Sequence, residues 1–380
     1  METIPFTLPK RLFSPNDTQE KKLLIKSVDT HCGGEPARIV FSGVPKFPDG
    51  CNTALLKRKH MMEHLDYIRQ VLLQEPRGYP CQNVDYIFKD NNDVIQYVIG
   101  EQNKIYPLMS GHNTICAATA VLECGIIPMK YPITNFTMEA PAGPIEITAR
   151  CENGKAKSIA LKNAPSFVEK LDVIVDIPHA NIGKVKLDIA YGGMWYAVVD
   201  LSQFDNVEHL NMKLDRSNGA ELCRVGEMIK VACREQFPVD HPTEDYPGVD
   251  ILVFRGKASE NSGAHSKNTV VMSNCELDWN KPETWTAMLD RSPCGTGTCA
   301  VMAVMHARNE LKVGENFIHE SIVGSQFVGT ILEETLLKGG NGKIAIIPQI
   351  EGSACITQYS EIVVDPFDVF PNGYRVADIW

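Results

Sequence analysis

Apolar and polar positions along the chain separate into two kinds of helix and a larger number of short strands. Between Leu55 and Glu75, the residues Leu55, Met62, Leu65, Ile68 and Leu72 recur at helical spacing, which predicts a helix with one face in solvent. Asn218 to Glu235 repeats the pattern, with Leu222, Val225, Met228, Ile229 and Ala232 on one face. Ile115–Leu122 and Cys299–Met305 differ: both are apolar nearly all round, as a helix buried on every side requires. Gly125 and Pro128 close the first of these. Strands are expected at Leu23–Val28, Asn135–Glu139, Ile145–Arg150, Ser158–Leu161, Leu187–Ala190, Met194–Val199, Ile251–Phe254 and Thr269–Met272. Val84–Phe88 and Val94–Ile99 read as a hairpin, and the tail from Glu315 is again strand-rich. The order of sheet, helix, buried helix and sheet occurs twice, a weak internal duplication. Residues 1–24 are polar, with Pro5, Pro9, Pro15 and the run Glu20-Lys21-Lys22, and are expected to form a loosely held extension.

Each buried helix is preceded by a motif with candidate chemistry. The first is Met109-Ser110-Gly111-His112-Asn113-Thr114-Ile115, the second Asp290-Arg291-Ser292-Pro293-Cys294-Gly295-Thr296-Gly297-Thr298. Each sets a small nucleophilic or acid/base side chain, Ser110 or Cys294, directly before a glycine that opens the helix. A helix N-terminus carries free N–H groups and a partial positive charge, a natural seat for a carboxylate. The same field is expected to lower the pKa of Cys294. Two such ends facing each other would hold one carboxylate and place an acid/base group on each side of its α-carbon.

Composition narrows the picture. A chain of 380 residues suffices for one large or two ordinary domains. Its net charge of −10 argues against nucleic acid and anionic membrane surfaces as partners. The 12 cysteines are scattered, without a CxxC pair or zinc-type spacing, so reduced thiols and no metal are expected. No basic region followed by an apolar run opens the chain, and no stretch approaches a membrane span, so no signal peptide and a cytoplasmic location are expected. No glycine-rich loop has P-loop or dinucleotide spacing.

The two motifs, in this order and separation, resemble the proline racemase family, which includes hydroxyproline epimerases and trans-3-hydroxyproline dehydratases. The resemblance extends over Asp29-Thr30-His31-Cys32-Gly33-Gly34-Glu35-Pro36-Ala37-Arg38-Ile39-Val40, Glu75-Pro76-Arg77-Gly78, Asp188-Ile189-Ala190-Tyr191-Gly192-Gly193 and Gly324-Ser325-Gln326-Phe327-Val328-Gly329. It implies an α/β (α+β) fold of the diaminopimelate epimerase type. In that fold two similar domains each wrap a curved sheet around a central buried helix, with the site in the cleft between them. The first domain is expected at 25–180 and the second at 181–349, with the C-terminal segment, about 350–380, returning to the first. The resemblance further implies a cofactor-independent racemase or epimerase of proline or hydroxyproline, without metal, acting as a homodimer.

Residue by residue, Cys294 matches one catalytic cysteine of the family, while Ser110 stands where many members carry the other. A hydroxyl is a far weaker acid than a thiol, so this departure leaves two alternatives open. One is a trans-3-hydroxy-L-proline dehydratase, although that pattern keeps cysteine first and places threonine second. The other is a pseudoenzyme that binds proline analogues without turnover. Asp290 and His112 match residues that hold the ring nitrogen of the substrate. Backbone N–H groups of Gly111, His112, Gly295 and Thr296 are the expected carboxylate cradle. Cys299, inside the helix, is expected to be structural, and Glu35, Arg38, Glu75 and Arg77 to form scaffold ion pairs. Tyr191, Met194 and Trp195 are candidates for the pocket wall.

Overall fold

The computed structural model describes residues 23–376, except 91–92, 180, 208–209, 244–245, 274–275 and 366; the extension expected over 1–24 thus lies almost wholly outside the described residues. The first pass of elements is β1 (Leu23–Cys32), β2 (Glu35–Ser42), α1 (Ala54–His64), α2 (Asp66–Leu73), β3 (Asn83–Lys89), β4 (Ile95–Gly100), α3 (Gly111–Glu123), β5 (Ile133–Ala140), β6 (Gly143–Glu152) and β7 (Lys155–Lys162). The second is β8 (Phe167–Asp176), β9 (Lys184–Tyr191), β10 (Trp195–Asp200), α4 (Gly219–Gln236), β11 (Ile251–Gly256), β12 (Ser266–Ser273), β13 (Ala287–Leu289), α5 (Gly295–Ala307), β14 (Asn316–Glu320), β15 (Gln326–Leu336) and β16 (Ile344–Gly352), and β17 (Ala354–Val364) follows.

Strand pairing makes the duplication plain. Hairpin β1–β2 joins hairpin β3–β4 through a parallel β2–β3 junction, and β4 meets β5 in parallel before the antiparallel run β5–β6–β7. Hairpin β9–β10 joins β11–β12 through a parallel β10–β11 junction, and β12 meets β14 in parallel before β14–β15–β16. Strand β17 adds to β1, and β8 adds to β9, each antiparallel. The two sheets join where β16 pairs with β7. Parallel neighbours need a long crossover, and each of these crossovers carries a helix.

Each sheet therefore curves around one helix. Helix α3 packs against β1, β2, β3, β7, β16 and β17, and α5 against β8, β9, β10, β15 and β16. Every residue from Gly111 to Leu122 and from Gly295 to Val304 is buried, as their all-round apolar patterns demand. One apolar cluster runs continuously through α3 and α5, a second lies under α4, and a third under α1 and α2. Strands β3 and β11 thus lie between a buried helix and an amphipathic one, α2 on β3 and α4 on β11, whereas β6 and β7 turn their outer faces to solvent. Among the described residues, no helix is long and apolar enough to cross a membrane.

Two elements depart from the sequence pattern. The helix expected over 55–75 breaks at Leu65 (φ −123°, ψ 14°), and Asp66 opens α2 with a paired-oxygen grip on Arg69. Strand β8 carries no clean period of two, because its register on β9 shifts twice and Leu171 and Ile174 face solvent. It lies inside the 25–180 span, yet it pairs with β9 and packs on α5.

Candidate active site

Helices α3 and α5 meet end to end at their N-termini. A Cβ placed on Gly111 would lie 2.9 Å from the Cα of Gly295, and one on Gly295 equally 2.9 Å from the Cα of Gly111. Glycine at both positions is what lets the two helix ends touch. Ser110 and Cys294 are the N-caps of these helices, so the structure brings the two sequence motifs together. Gly111, His112, Gly295 and Thr296 form the first turns, where backbone N–H groups lack intrahelical partners. Gly192, between β9 and β10, allows the same intimacy on the flank of α5: a Cβ there would collide with the carbonyl oxygen of Thr296.

Cys294 is 8% exposed. Its Sγ lies 3.4 Å from the Tyr196 hydroxyl and 3.7 Å from Thr296 Oγ1, and it accepts the Gly297 N–H at 3.4 Å. Burial pushes the thiol pKa well up, and the charge of Asp290 adds to this; hydrogen bonds from Tyr196, Gly297 and Thr296 pull the other way without prevailing. Burial thus works against the lowering expected from the helix end. The Cys294 backbone has φ +59°, the left-handed region, which for a residue with a Cβ costs on the order of 1–3 kcal/mol. The preceding carbonyl, of Pro293, is held by Asn268 Nδ2 at 2.7 Å and Thr298 Oγ1 at 3.1 Å, while Ser292 Oγ accepts the Cys294 N–H at 3.0 Å.

Ser110 is only partly buried and has ordinary extended backbone, φ −146°. Its Oγ lies 3.3 Å from His112 Nδ1 and accepts from Asn113 Nδ2 at 3.1 Å. The other imidazole nitrogen, Nε2, lies 3.3 Å from Asn83 Nδ2. Burial lowers the His112 pKa to about 3, so the ring is neutral.

Asp290 is 3% exposed and accepts the Ser292 N–H at 2.7 Å; burial pushes its carboxyl up to about 6. Glu35 is fully buried beside it and accepts the Arg291 N–H at 2.7 Å and Asn83 Nδ2 at 3.3 Å. Burial and then the charge of Asp290 push Glu35 well above the usual carboxylate range. Two neighbouring buried carboxyls with raised pKa values suit a cation that would relieve them.

Three sequence assignments need correction or sharpening. Arg38 and Arg77 do form ion pairs, with Asp29 and Asp368, but Glu35 takes its hydrogen bonds from neutral donors and belongs to the site. Trp195 is fully buried in the outer cluster under α4, with Nε1 donating to the Tyr246 carbonyl. Side chains alternate along β10, so it is Tyr196 that faces inward and meets Cys294. Tyr191 lines a cavity of about 450 Å³ with Met109, Asn163 and Gly193. Cys299 lies inside α5, fully buried, with its thiol pushed up to about 12 by burial. Tyr196 was accessible from the strand phase; nothing in the sequence pointed to Asn83.

The family model described as proline racemase matches residues 27–375. A proline racemase from Clostridioides difficile is 34% identical over 364 residues, covering 92% of this chain and 97% of its own length. 4-Hydroxyproline 2-epimerase 1 of Rhizobium rhizogenes is 34% identical over 362 residues, covering 94% and 97%. The crystal structure of a hydroxyproline epimerase from Agrobacterium vitis, with bound trans-4-hydroxy-L-proline, superposes with a TM-score of 0.79 at 31% identity, over 94% of this chain and 96% of that one. The glycine-opened helix pair, its two N-cap side chains and these full-length similarities together place the chain in the proline racemase family.

Proposed function

We propose that this protein inverts the α-carbon of proline or hydroxyproline without a cofactor, with Cys294 and Ser110 as the two proton-transfer groups. The observation that carries the reading is the meeting of two helix N-termini whose N-caps are these residues. The substrate carboxylate sits on the first-turn N–H groups of Gly111, His112, Gly295 and Thr296. The ring ammonium sits on Asp290, with His112 beside it. Ammonium binding offsets the Asp290 charge, one of the causes that hold the Cys294 thiol up, so the substrate itself draws Cys294 toward thiolate. Cys294 takes the α-proton onto Sγ and leaves the electron pair on carbon, conjugated with the carboxylate. Ser110 then delivers its hydroxyl proton to the opposite face and keeps the Oγ–H electron pair as alkoxide. After release Cys294 gives its acquired proton to solvent and Ser110 takes one back, which returns both to their starting forms.

As part of the same reading, the units divide between β7 and β8, with β17 returning to the first, and the protein is a cytoplasmic homodimer. Light scattering in solution tests the dimer. The function is tested by NMR of proline, trans-4-hydroxyproline and trans-3-hydroxyproline incubated with the protein in D₂O. Inversion with α-deuterium incorporation is expected for proline or the 4-hydroxy compound. Conversion of trans-3-hydroxyproline to a dehydrated product in place of inversion would make the protein a dehydratase, and binding without exchange would make it a pseudoenzyme. Cys294→Ala should abolish exchange and inversion. Retention of a tenth of the parental rate, a barrier change of only about 1.4 kcal/mol, would exclude Cys294 as the essential group.

A further inference from the structure

We propose that Asn83 is a positioning residue that fixes His112 in the tautomer with its proton on Nδ1, so that Ser110 enters the reaction as a proton donor. The inference rests on the racemase or epimerase reading above and concerns a residue outside both motifs. Asn83, at the start of β3, is buried, and its side-chain nitrogen is surrounded by acceptors. Glu35 Oε1 and the Pro36 carbonyl lie at 3.3 Å, and the Cys81 carbonyl at 3.5 Å. Turning the amide over would set its oxygen against these three oxygens, so the nitrogen occupies this position and only donates. The remaining neighbour of that nitrogen is His112 Nε2, at 3.3 Å. An amide nitrogen has two hydrogens and accepts none, so this contact is a hydrogen bond only when Nε2 is the bare, accepting nitrogen of the ring.

Neutral imidazole carries one proton, which then lies on Nδ1. Nδ1–H faces Ser110 Oγ at 3.3 Å, and Asn113 Nδ2 faces the same oxygen at 3.1 Å. Two donors occupy the lone pairs of the serine oxygen, and its own O–H is left to point at the substrate. His112 is thereby excluded as the base that deprotonates Ser110. Its part is to stabilise the alkoxide that remains once the Oγ–H bond has broken and its proton has gone to the α-carbon. A hydroxyl needs such help more than a thiol, so the arrangement answers the presence of serine at this position. Glu35 links the two halves of the site: one carboxyl oxygen holds the Asn83 amide, and the other holds the N–H of Arg291, next to Asp290.

The tautomer is read directly from the ¹⁵N shifts of histidine-labelled wild-type protein, with the His112 signals assigned by their loss in His112→Gln. Protonated Nδ1 with bare Nε2 is the expected result, and the reverse overturns the proposal whether or not the protein turns over. The functional arm measures α-deuterium wash-in and inversion together in D₂O. Removing one donor to a developing oxyanion costs about 10²–10³ in rate. Asn83→Ala, which only frees the ring to change tautomer, should slow inversion at least tenfold. Wash-in on the enantiomer whose α-hydrogen faces Cys294 should stay within about twofold. In a Ser110→Cys background the same substitution should slow inversion less than about threefold. Equal loss of wash-in and inversion would mark Asn83 as merely structural and sink the proposal. Absence of both activities from the parent protein would instead defeat the functional reading, while the tautomer measurement still stands on its own.

Discussion

Gly111→Ala tests whether contact between the two helix ends governs the site. The new methyl would lie 2.9 Å from the Cα of Gly295. Carbon atoms settle at about 3.5–4.0 Å, so the ends must separate by roughly 0.6–1.1 Å. The obstructing atom is backbone, in a helix buried on every side, and cannot swing away like the tip of a side chain. Overpacking of this kind costs about 1–3 kcal/mol. The opposing effect, the better helix propensity of alanine, is worth at most about 1 kcal/mol, so net destabilisation is expected. Activity should suffer more, because a displacement of about 1 Å at reacting groups can cost 10²-fold. The assay pairs urea unfolding with polarimetric racemisation or epimerisation. Gly219→Ala, at the start of α4, is the control: its nearest neighbour would be Leu289 Cδ1 at 3.6 Å, an ordinary contact. If Gly111→Ala matches the parent in stability and keeps kcat/KM within about twofold, the helix ends do not set the geometry.

Two further outcomes follow from the charges. Arg38 is buried, grips both carboxylate oxygens of Asp29 at 2.9 Å, and donates to the carbonyls of Leu72 and Arg77; Arg38→Ala should cost about 3–5 kcal/mol in denaturant unfolding. Pyrrole-2-carboxylate affinity should be unchanged at temperatures where the variant is folded, and loss of binding there would show that an arginine holds the carboxylate. Because the Asp290 carboxyl is raised to about 6 and holds an ammonium only when ionised, proline affinity of the Cys294→Ala protein, which lacks the thiol's own titration, should be level above that pH and fall about tenfold per unit below it. A profile flat down to pH 5 would remove Asp290 from the ammonium site.

The fold was legible where burial leaves a periodic trace. Two all-round apolar runs announced α3 and α5, and alternation announced most strands. Strand β8 left no such trace, because it is paired irregularly and half in solvent. The site was legible where chemistry is local: a cap, a glycine and a helix stand within a few residues of each other. Asn83 and Glu35 lie far away in sequence and are brought in by β3 and by the β1–β2 turn, so no local spacing could reveal them. On β10 the sequence reading named Trp195 for the pocket wall, one position from Tyr196, the error to which a period of two is most sensitive. The surroundings of the Cys294 thiol were half legible: a helix dipole is visible in a motif, whereas desolvation depends on everything packed around it.

Duplication explains why such a site has two faces, and its imperfections explain why they differ. Ser110, Gly111 and His112 hold the places in α3 that Cys294, Gly295 and Thr296 hold in α5. Inversion needs this near-symmetry, because substrate and product are mirror images at the α-carbon and each must meet a donor on one side and an acceptor on the other. The two N-caps nevertheless sit in unlike surroundings. Cys294 is set in a left-handed backbone and gripped through the Pro293 carbonyl, with Tyr196 and Thr296 at its sulfur. Ser110 lies in relaxed extended backbone with His112 Nδ1 and Asn113 Nδ2 at its oxygen. Equilibrium fixes the ratio of forward to reverse kcat/KM whatever the protein does, so this inequality cannot produce one-way catalysis. In the proposed two-group mechanism it can only divide the barrier unevenly between the two proton transfers. The slower one belongs on the serine face, where the hydroxyl is the weaker acid and the surrounding donors make up part of the difference.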